Sequence, residues 1–279
     1  MKKLIALLLA GCMMAATVVG CGAKEEAAET PAAVEEAATE EAATDSDLAY
    51  VKDKGVLVVG ITDFAPMDYK NEDGEWIGFD ADLAKYFAGE LGVEVEFVEI
   101  DWDNKILELD SKTIDCVWNG MTMTAEVKAA MDCSNAYCNN AQVVIVPTAK
   151  AQDYQTVESL EGLAFAAEAG SAGEAEVVAL GLECTPVKAQ ADALMEVAAG
   201  TSDAAVIDSL MAAAMVGPDT GYADLTYTVA LNSEEYGVGF RKGSDLVAEL
   251  NAFFAAIYAE GTMQEIAATY GVDAALVAQ

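Results

Sequence analysis

The chain has 279 residues, enough for one large domain or two ordinary ones, and its net charge of −34 reflects 48 acidic against 14 basic residues. This acidity argues against binding to nucleic acid, which depends on basic side chains that neutralise phosphates, and against docking to anionic lipid. Histidine is absent, so the commonest general base and transition-metal ligand are missing, and we expect neither a cofactor nor a metal site.

The N-terminus has the pattern of an export signal. Met1-Lys2-Lys3 is positively charged, an apolar run follows, and Val18-Val19-Gly20-Cys21 resembles the bacterial lipoprotein cleavage box, which ends in a lipid-modified cysteine. We therefore predict a signal peptide over residues 1–20 and lipidation of Cys21. A rival box ending in Cys12 would leave an apolar core below the usual length of about 7 to 15 residues. An ordinary secretory peptide is the other alternative.

Residues 21–46 form a segment that is nearly all Ala, Glu and Thr and contains no aromatic residue. Such a segment buries too little apolar surface to offset the entropy lost on ordering. We predict an acidic tether that spans roughly 25 to 30 Å as a coil, which would hold the following domain clear of a membrane. The protein is thus expected to be extracytoplasmic and anchored to the cell membrane by its lipid.

From Asp47 onward, short β-rich runs alternate with helical patterns, which is typical of an α/β fold with mostly parallel sheets. The predicted strands are residues 56–61, 93–98, 114–118, 143–146, 163–167, 204–207 and 237–240. The predicted helices include residues 80–91, 171–180, 189–198 and 246–259. Ligands of open α/β sheets bind beyond the carboxyl ends of the strands. The loops expected to form a site therefore follow Ile61, Val98, Trp118, Ala167 and Ile207.

Four further cysteines follow the predicted lipidation site: Cys116, Cys133, Cys138 and Cys184. An exported chain can form disulfides, but a domain of this size folds without them, so buried thiols and one disulfide both stay open. The chain lacks C-x-x-C spacing and histidine partners, which argues against zinc.

Several segments in this order resemble the family 3 extracellular solute-binding proteins, the amino-acid receptors of ABC importers with a type 2 periplasmic-binding-protein fold. The resemblance covers residues 54–272 and is carried by GVLVVGITDFAPMDY, DGEWIGFDADLAKYFAGELGVEVEFVEIDW, TIDCVWNGMTMT, MDCSNAY, GSAGEAE, SDAAVID and YGVGFRKGSDL. No single run is decisive, but their order and spacing together are specific.

The resemblance implies two α/β lobes joined by two hinge strands. Lobe 1 would comprise residues 47–140 and 235–279, and lobe 2 residues 141–234, with crossings near residues 140–142 and 235–237. Members of this family close over a small molecule and present the closed form to a permease. The chain would be a monomeric binding lipoprotein for an amino acid or related small amine, with permease and ATPase encoded separately.

Six residues match positions at which the family contacts its ligand: Phe64, Trp102, Gly120, Thr122, Ser171 and Asp208. Phe64 and Trp102 would form apolar walls, while Gly120 and Thr122 would contact the head group. Asp208 would pair with a ligand ammonium, or cap the helix that follows it. Ser171 would meet a ligand carboxylate at a helix N-terminus, or form a capping box with Glu174.

The family's arginine, which grips the ligand carboxylate, is replaced here by Val127. Lys128 is turned by about 100° along the helix and is not an equivalent donor. Two interpretations stay open. Either Thr122, Ser171 and backbone N–H groups hold a carboxylate, or the ligand is cationic or lacks one, in keeping with an acidic pocket that includes Asp63, Asp101 or Asp103.

Two large residues are assigned away from the site. Arg241, the single arginine of the chain, is predicted to lie on the surface, and Trp118, which shares a strand face with Cys116, is predicted to lie in the core. Two other functions compete with transport, namely a sensor domain that signals to a membrane receptor and a dehydratase-like enzyme. The absence of histidine and of the carboxylate-gripping arginine argues against the enzyme.

Overall fold

The structure is a computed structural model that describes residues 46–279. The predicted signal peptide, the lipidation site Cys21 and residues 21–45 of the predicted tether lie outside the described residues. None of the helices formed by residues 46–279 has the length and apolar character needed to span a bilayer.

Helices and short strands alternate along the described chain. The strands are β1 (Val56–Ile61), β2 (Tyr69–Lys70), β3 (Trp76–Ile77), β4 (Glu94–Glu99), β5 (Cys116–Val117), β6 (Asp132–Cys133), β7 (Cys138–Asn140), β8 (Gln142–Pro147), β9 (Ala164–Glu168), β10 (Glu183–Val187), β11 (Ala204–Asp208), β12 (Leu225–Ala230), β13 (Glu234–Tyr236) and β14 (Gly239–Phe240). The helices are α1 (Asp47–Lys54), α2 (Phe79–Leu91), α3 (Lys105–Asp110), α4 (Ala125–Ala130), α5 (Ala172–Ala179), α6 (Gln190–Ala199), α7 (Ser209–Met215), α8 (Leu246–Glu260) and α9 (Thr262–Tyr270).

Two five-stranded mixed sheets organise these elements. The first has the order β4-β1-β5-β14-β6, in which β1 runs parallel to β4 and β5 and β14 runs antiparallel to both neighbours. The second has the order β10-β9-β11-β8-β12, in which β9 runs parallel to β10 and β11. Strand β1, sequence VLVVGI, is buried at all but its first residue, as expected for a strand covered on both faces.

The chain crosses between the sheets twice, and the two crossing strands pair with each other. Strand β7 leads from the first sheet into β8, and β13 leads from the second sheet back to β14. They form an antiparallel ribbon in which Asn140 lies opposite Glu234 and Cys138 opposite Tyr236. The ribbon lies where the crossings were expected, while the lobe limits at residues 140/141 and 234/235 stay a prediction.

Most predicted elements are present with ends that differ by one or two residues, but some were missed. Helices α1 and α9 and the edge strands β10 and β12 were not predicted. The predicted strand 114–118 forms a ladder only at Cys116 and Val117, and residues 237–240 only at the last two. The prediction for Trp118 is confirmed: it is fully buried and packs edge-on against Phe87 and Phe254.

The prediction that Arg241 lies on the surface is wrong. The side chain is buried, and its Nη2 lies 2.9 Å from Oδ1 of Asp47 and 3.7 Å from Oδ1 of Asp115. Its Nη1 donates hydrogen bonds to the carbonyl oxygens of Leu109 and Ile114, at 3.1 and 2.8 Å. A buried guanidinium is tolerated because Asp47 and Asp115 compensate its charge, and its Nε and Nη1 donate hydrogen bonds, although Nη2 makes none.

The four cysteines are free thiols. Cys116 and Cys138 are buried, and Cys133 and Cys184 are partly exposed. Burial raises the pKa of all four, so the thiol form is favoured over the reactive thiolate.

Candidate functional site

A cavity of about 250 Å³ lies between the loops of the two sheets. The first sheet contributes loops that follow β1, β4 and β5, and the second contributes the ends of β9 and β11 and the starts of β8, α5 and α6. These are mostly carboxyl ends of strands, as expected for a ligand site in an α/β fold. The cavity lining includes all six residues predicted from the sequence, namely Phe64, Trp102, Gly120, Thr122, Ser171 and Asp208. Their role as ligand contacts stays a prediction.

Asp208 is the last residue of β11 and is buried in the cavity wall. Its Oδ1 accepts hydrogen bonds from the Tyr236 hydroxyl at 2.7 Å, from Gln142 Nε2 at 3.0 Å and from Asn140 Nδ2. Its Oδ2 accepts from Gln190 Nε2. The carboxylate is thus surrounded by neutral donors, and no Lys or Arg of the described residues lies within ion-pair distance.

Burial and, to a smaller extent, the nearby carboxylate of Glu234 raise the pKa of Asp208 from 3.8 to about 7, although the hydrogen bonds to its oxygens act to lower it. The alternative prediction, that Asp208 caps α7, is wrong for its side chain, which makes no hydrogen bond to the helix. The reason is that both carboxylate oxygens already accept hydrogen bonds from the side-chain amides and the tyrosine hydroxyl named above. The N–H of Ser209 donates instead to the carbonyl of Ala141 at 2.8 Å.

Glu168 is a second buried carboxylate in the cavity wall, and sequence reasoning missed it. It is the last residue of β9 and only 2% exposed, and its Oε1 has no hydrogen-bond partner among the described residues. Burial raises the pKa of Glu168 to about 8, with Asp208 contributing in the same direction and Lys105 opposing it. The position of sites after strand ends predicted that the loop following Ala167 contributes to the site. The family resemblance, however, matched Ser171 in this loop and not Glu168.

Lys105 is the one basic side chain that lines the cavity among the described residues. It is buried, and its Nζ donates to the carbonyl oxygens of Trp102 at 3.2 Å and Gly170 at 2.9 Å. Burial lowers the pKa of Lys105, while Glu168 opposes this effect. The bond to Gly170 joins the two sides of the cavity. Gly170 has φ +69°, and a Cβ there would lie 2.7 Å from Cα of Asp103, so this approach requires glycine.

The groups expected to hold a ligand carboxylate already have partners within the chain. The N–H of Gly120 donates to Asp80 Oδ2 at 2.6 Å, and the Thr122 hydroxyl donates to Glu234 Oε1 at 2.8 Å. The capping alternative for Ser171 is confirmed, since its Oγ accepts the Glu174 N–H at 3.1 Å. The Glu174 carboxylate in turn accepts the N–H of Gly170 at 2.7 Å.

Val127 forms part of an apolar surface at the cavity. It is 4% exposed and belongs to a buried cluster with Trp102, Met121 and Met131. Lys128 is exposed and borders a separate cleft with Glu176, Glu234 and Glu235. It does not line the main cavity.

The prediction of an acidic pocket is correct in charge but wrong in its residues. Asp63, Asp101 and Asp103 are exposed and do not line the cavity. They lie in loops beyond the strand ends, and their side chains are exposed. The carboxylates in the buried wall are those of Asp208 and Glu168.

The sequence model of the protein family named bacterial extracellular solute-binding proteins, family 3, matches residues 57–273 of this chain. The L-cystine-binding protein TcyJ of Escherichia coli (strain K12) is 29% identical over 229 residues, which cover 80% of this chain and 85% of that protein. Among solved structures, the P235GK mutant of ArgBP from T. maritima has 33% identity and a TM-score of 0.76, covering 81% of this chain and 99% of its own. A substrate-binding protein of an ABC uptake transporter from Streptococcus pneumoniae, with bound histidine, has 30% identity and the same TM-score, covering 82% and 98%.

Proposed function

Since the chain belongs to the bacterial extracellular solute-binding proteins of family 3 and has their two-lobed type 2 periplasmic-binding-protein fold, we propose that it binds an amino acid or related small amine between its lobes. In this proposal Asp208 binds the ligand ammonium, and Phe64 and Trp102 form apolar walls. Gly120, Thr122 and Ser171 lie around the head group. The lobes would close on the ligand because contacts from both sides stabilise the shut form.

Asp208 is the observation that carries this proposal. A buried carboxylate costs free energy unless a cation or several donors compensate its charge. The described residues supply neutral donors and no cation, in keeping with the pKa of Asp208, which burial raises. A ligand ammonium in the adjoining cavity would complete it. A binding site for a small amine therefore fits the local electrostatics.

The proposed setting is that of a lipid-anchored component of an ABC importer. Cys21 would carry the lipid, residues 21–46 would be the tether, and the loaded protein would dock on a permease made by other genes. The relatives named above are binding proteins, in keeping with a chain that catalyses no reaction. Replacement of Cys21 by Ser should release the protein from membranes into the medium, and retention on the membrane would contradict the anchor.

A thermal-shift screen of the mature chain, produced without its signal peptide, tests ligand binding. The panel would contain amino acids, their amides and small amines. A ligand at 100 times its Kd stabilises the folded state by about 2.7 kcal/mol, which raises Tm by roughly 5 to 10 °C in a domain of this size. A panel in which no compound raises Tm would contradict the proposed ligand class.

A further inference from the structure

The cavity offers few free donors to a ligand anion. The N–H of Gly120 and the hydroxyl of Thr122 donate to carboxylates of the protein itself. Lys105 uses two of its three N–H groups on backbone carbonyls. At the position where the family has its carboxylate-binding arginine, this chain has Val127, whose side chain is apolar and buried. A ligand carboxylate would have to displace these bonds or use the backbone N–H groups that open α5.

The same cavity offers more than one acceptor to a ligand cation. Asp208 and Glu168 end the neighbouring parallel strands β11 and β9, and both line the cavity. Oε1 of Glu168 is buried without a hydrogen-bond partner in the described chain, and none of the ion pairs of the described residues includes Glu168. An unpaired buried carboxylate oxygen is costly, so a cationic donor there would be bound favourably.

Apolar side chains form one part of the lining, beside polar residues such as Asn119, Gln142 and Gln190. Phe64, Trp102, Ile106, Met121 and Val127 all contribute to the cavity wall. Such a wall matches a methylene chain and offers nothing to an additional charge. The lining thus combines two buried carboxylates with an apolar surface.

On the basis of the proposed function, we propose that Glu168 is a second cation-binding residue and that the ligand is a small diamine or guanidino-amine. One nitrogen cation binds at Asp208 and the other at Glu168, the carbon chain packs on the apolar wall, and a carboxylate is dispensable. This ligand class accounts for the unpaired Glu168 oxygen and for valine at position 127. Lys105 donates to two backbone carbonyl oxygens and forms no direct ion pair with Glu168, so this carboxylate stays available to a ligand cation.

Calorimetry with matched ligand pairs tests the ligand class on the mature chain. The pairs are lysine and cadaverine, ornithine and putrescine, and arginine and agmatine, which differ only by the carboxylate. In the pair that binds most tightly, we expect the amine to have a Kd equal to or lower than that of the amino acid. A preference of more than threefold for the amino acid in that pair would overturn the inference.

Two glutamine variants test the residue. Glu168→Gln should weaken binding of the best diamine at least tenfold, while its effect on the monoamine of equal chain length stays below threefold. Glu183→Gln is the matched control, because Glu183 is exposed on the neighbouring strand β10 and does not line the cavity. Equal effects of Glu168→Gln on the diamine and the monoamine would overturn the assignment of Glu168. The Tm of each variant shows that it is folded.

Failure of this inference is distinguishable from failure of the proposed function. If some amino acid of the screening panel binds more tightly than every diamine, the binding function stands and the diamine inference is overturned. If no amino acid, amide or amine binds, both are overturned.

Discussion

The hydroxyl of Tyr236 lies 2.7 Å from Oδ1 of Asp208 and donates a hydrogen bond to it. Tyr236 belongs to β13, one of the two strands through which the chain crosses between the sheets, and Asp208 ends β11 at the cavity. Both residues are buried. The bond therefore connects the crossing ribbon directly to the carboxylate that is proposed to bind the ligand ammonium.

Tyr236→Phe should weaken binding of a cationic ligand. The hydrogen bond lowers the pKa of Asp208, so its loss disfavours the ionised form that pairs with an ammonium. The bond is present with and without ligand, so only its effect on the ionisation of Asp208 changes affinity. A rise of about one unit in the pKa of Asp208 would raise Kd by up to about tenfold, which calorimetry detects. Tyr137→Phe is the matched control. The Tyr137 hydroxyl donates to the buried Asp80 at 2.7 Å, and Tyr137 does not line the cavity. The Tyr137→Phe variant should therefore bind the ligand with nearly the affinity of the native chain.

Asp208→Asn should abolish tight binding of an ammonium ligand. The amide keeps the size of the side chain but removes the charge, and removal of one partner of a buried ion pair costs about 3 to 5 kcal/mol. We expect Kd to rise more than about 100-fold. Asp203→Asn is the control, because Asp203 is exposed in the turn before the same strand, where it accepts the N–H of Ala164 at 3.2 Å. Near-normal affinity of Asp208→Asn would show that the ammonium binds elsewhere.

Arg241→Met should destabilise the fold without changing ligand affinity. The variant leaves the buried carboxylate of Asp47 and two carbonyl oxygens without their donor, which costs about 3 to 5 kcal/mol. The corresponding fall in Tm is roughly 6 to 20 °C. Lys70→Met is the control: its salt bridge to Glu99 is half exposed, and exposed pairs contribute about 1 kcal/mol or less. Equal losses in the two variants would contradict a special role for Arg241.

The position of the site could be predicted from the sequence because parallel strands place their carboxyl ends at one edge. Phe64 follows β1, Gly120 follows β5 and Asp208 ends β11, and all three line the same cavity. The fold class was also predictable, because the alternation of strands and helices along the chain is a local sequence pattern. The resemblance then supplied the particular residues within each loop.

The partners of buried charges could not be predicted. Arg241 pairs with Asp47, 194 residues away in sequence, and nothing near either residue indicates the contact. Strand β10 was missed because it is an edge strand of mostly exposed residues that contains Pro186, which a central strand would not tolerate. Glu168 ends a strand as an acidic residue, but only the tertiary structure shows that its carboxylate is buried rather than solvated.

Val127→Arg should not improve affinity for the native ligand. Position 127 is buried among Trp102, Met121 and Met131, so a guanidinium there lacks acceptors and would destabilise the fold. We expect a lower Tm and, for the ligand identified by the screen, a Kd that does not fall. Val127→Leu controls for the added volume. A fall in Kd of tenfold or more for an amino acid would instead show that its carboxylate is recognised at this position.

The ligand-free protein should lose stability as the pH rises from 5 to 8. Burial raises the folded-state pKa of Asp208 and Asp80 from 3.8 to about 7 and that of Glu168 from 4.5 to about 8. Between about pH 4 and pH 8 the unfolded chain therefore binds fewer protons than the folded one, and the free energy of unfolding falls with increasing pH. Burial also raises the pKa of Asp68 and Asp63, which contribute in the same direction. Among the neighbouring charges, Asp192 raises and Lys105 lowers the pKa of Glu168, and Glu234 raises that of Asp208.

The test is Tm measured at constant ionic strength across that range. Asp208→Asn removes one of these titrating carboxyls, so its Tm should fall less steeply with pH than that of the native chain, whereas Asp203→Asn should keep the native slope. A cationic ligand that ionises Asp208 and Glu168 on binding should release protons near pH 7, which calorimetry detects as a dependence of the binding enthalpy on the buffer. A Tm that rises between pH 5 and pH 8 would mean that these carboxylates are ionised and already paired in the folded protein.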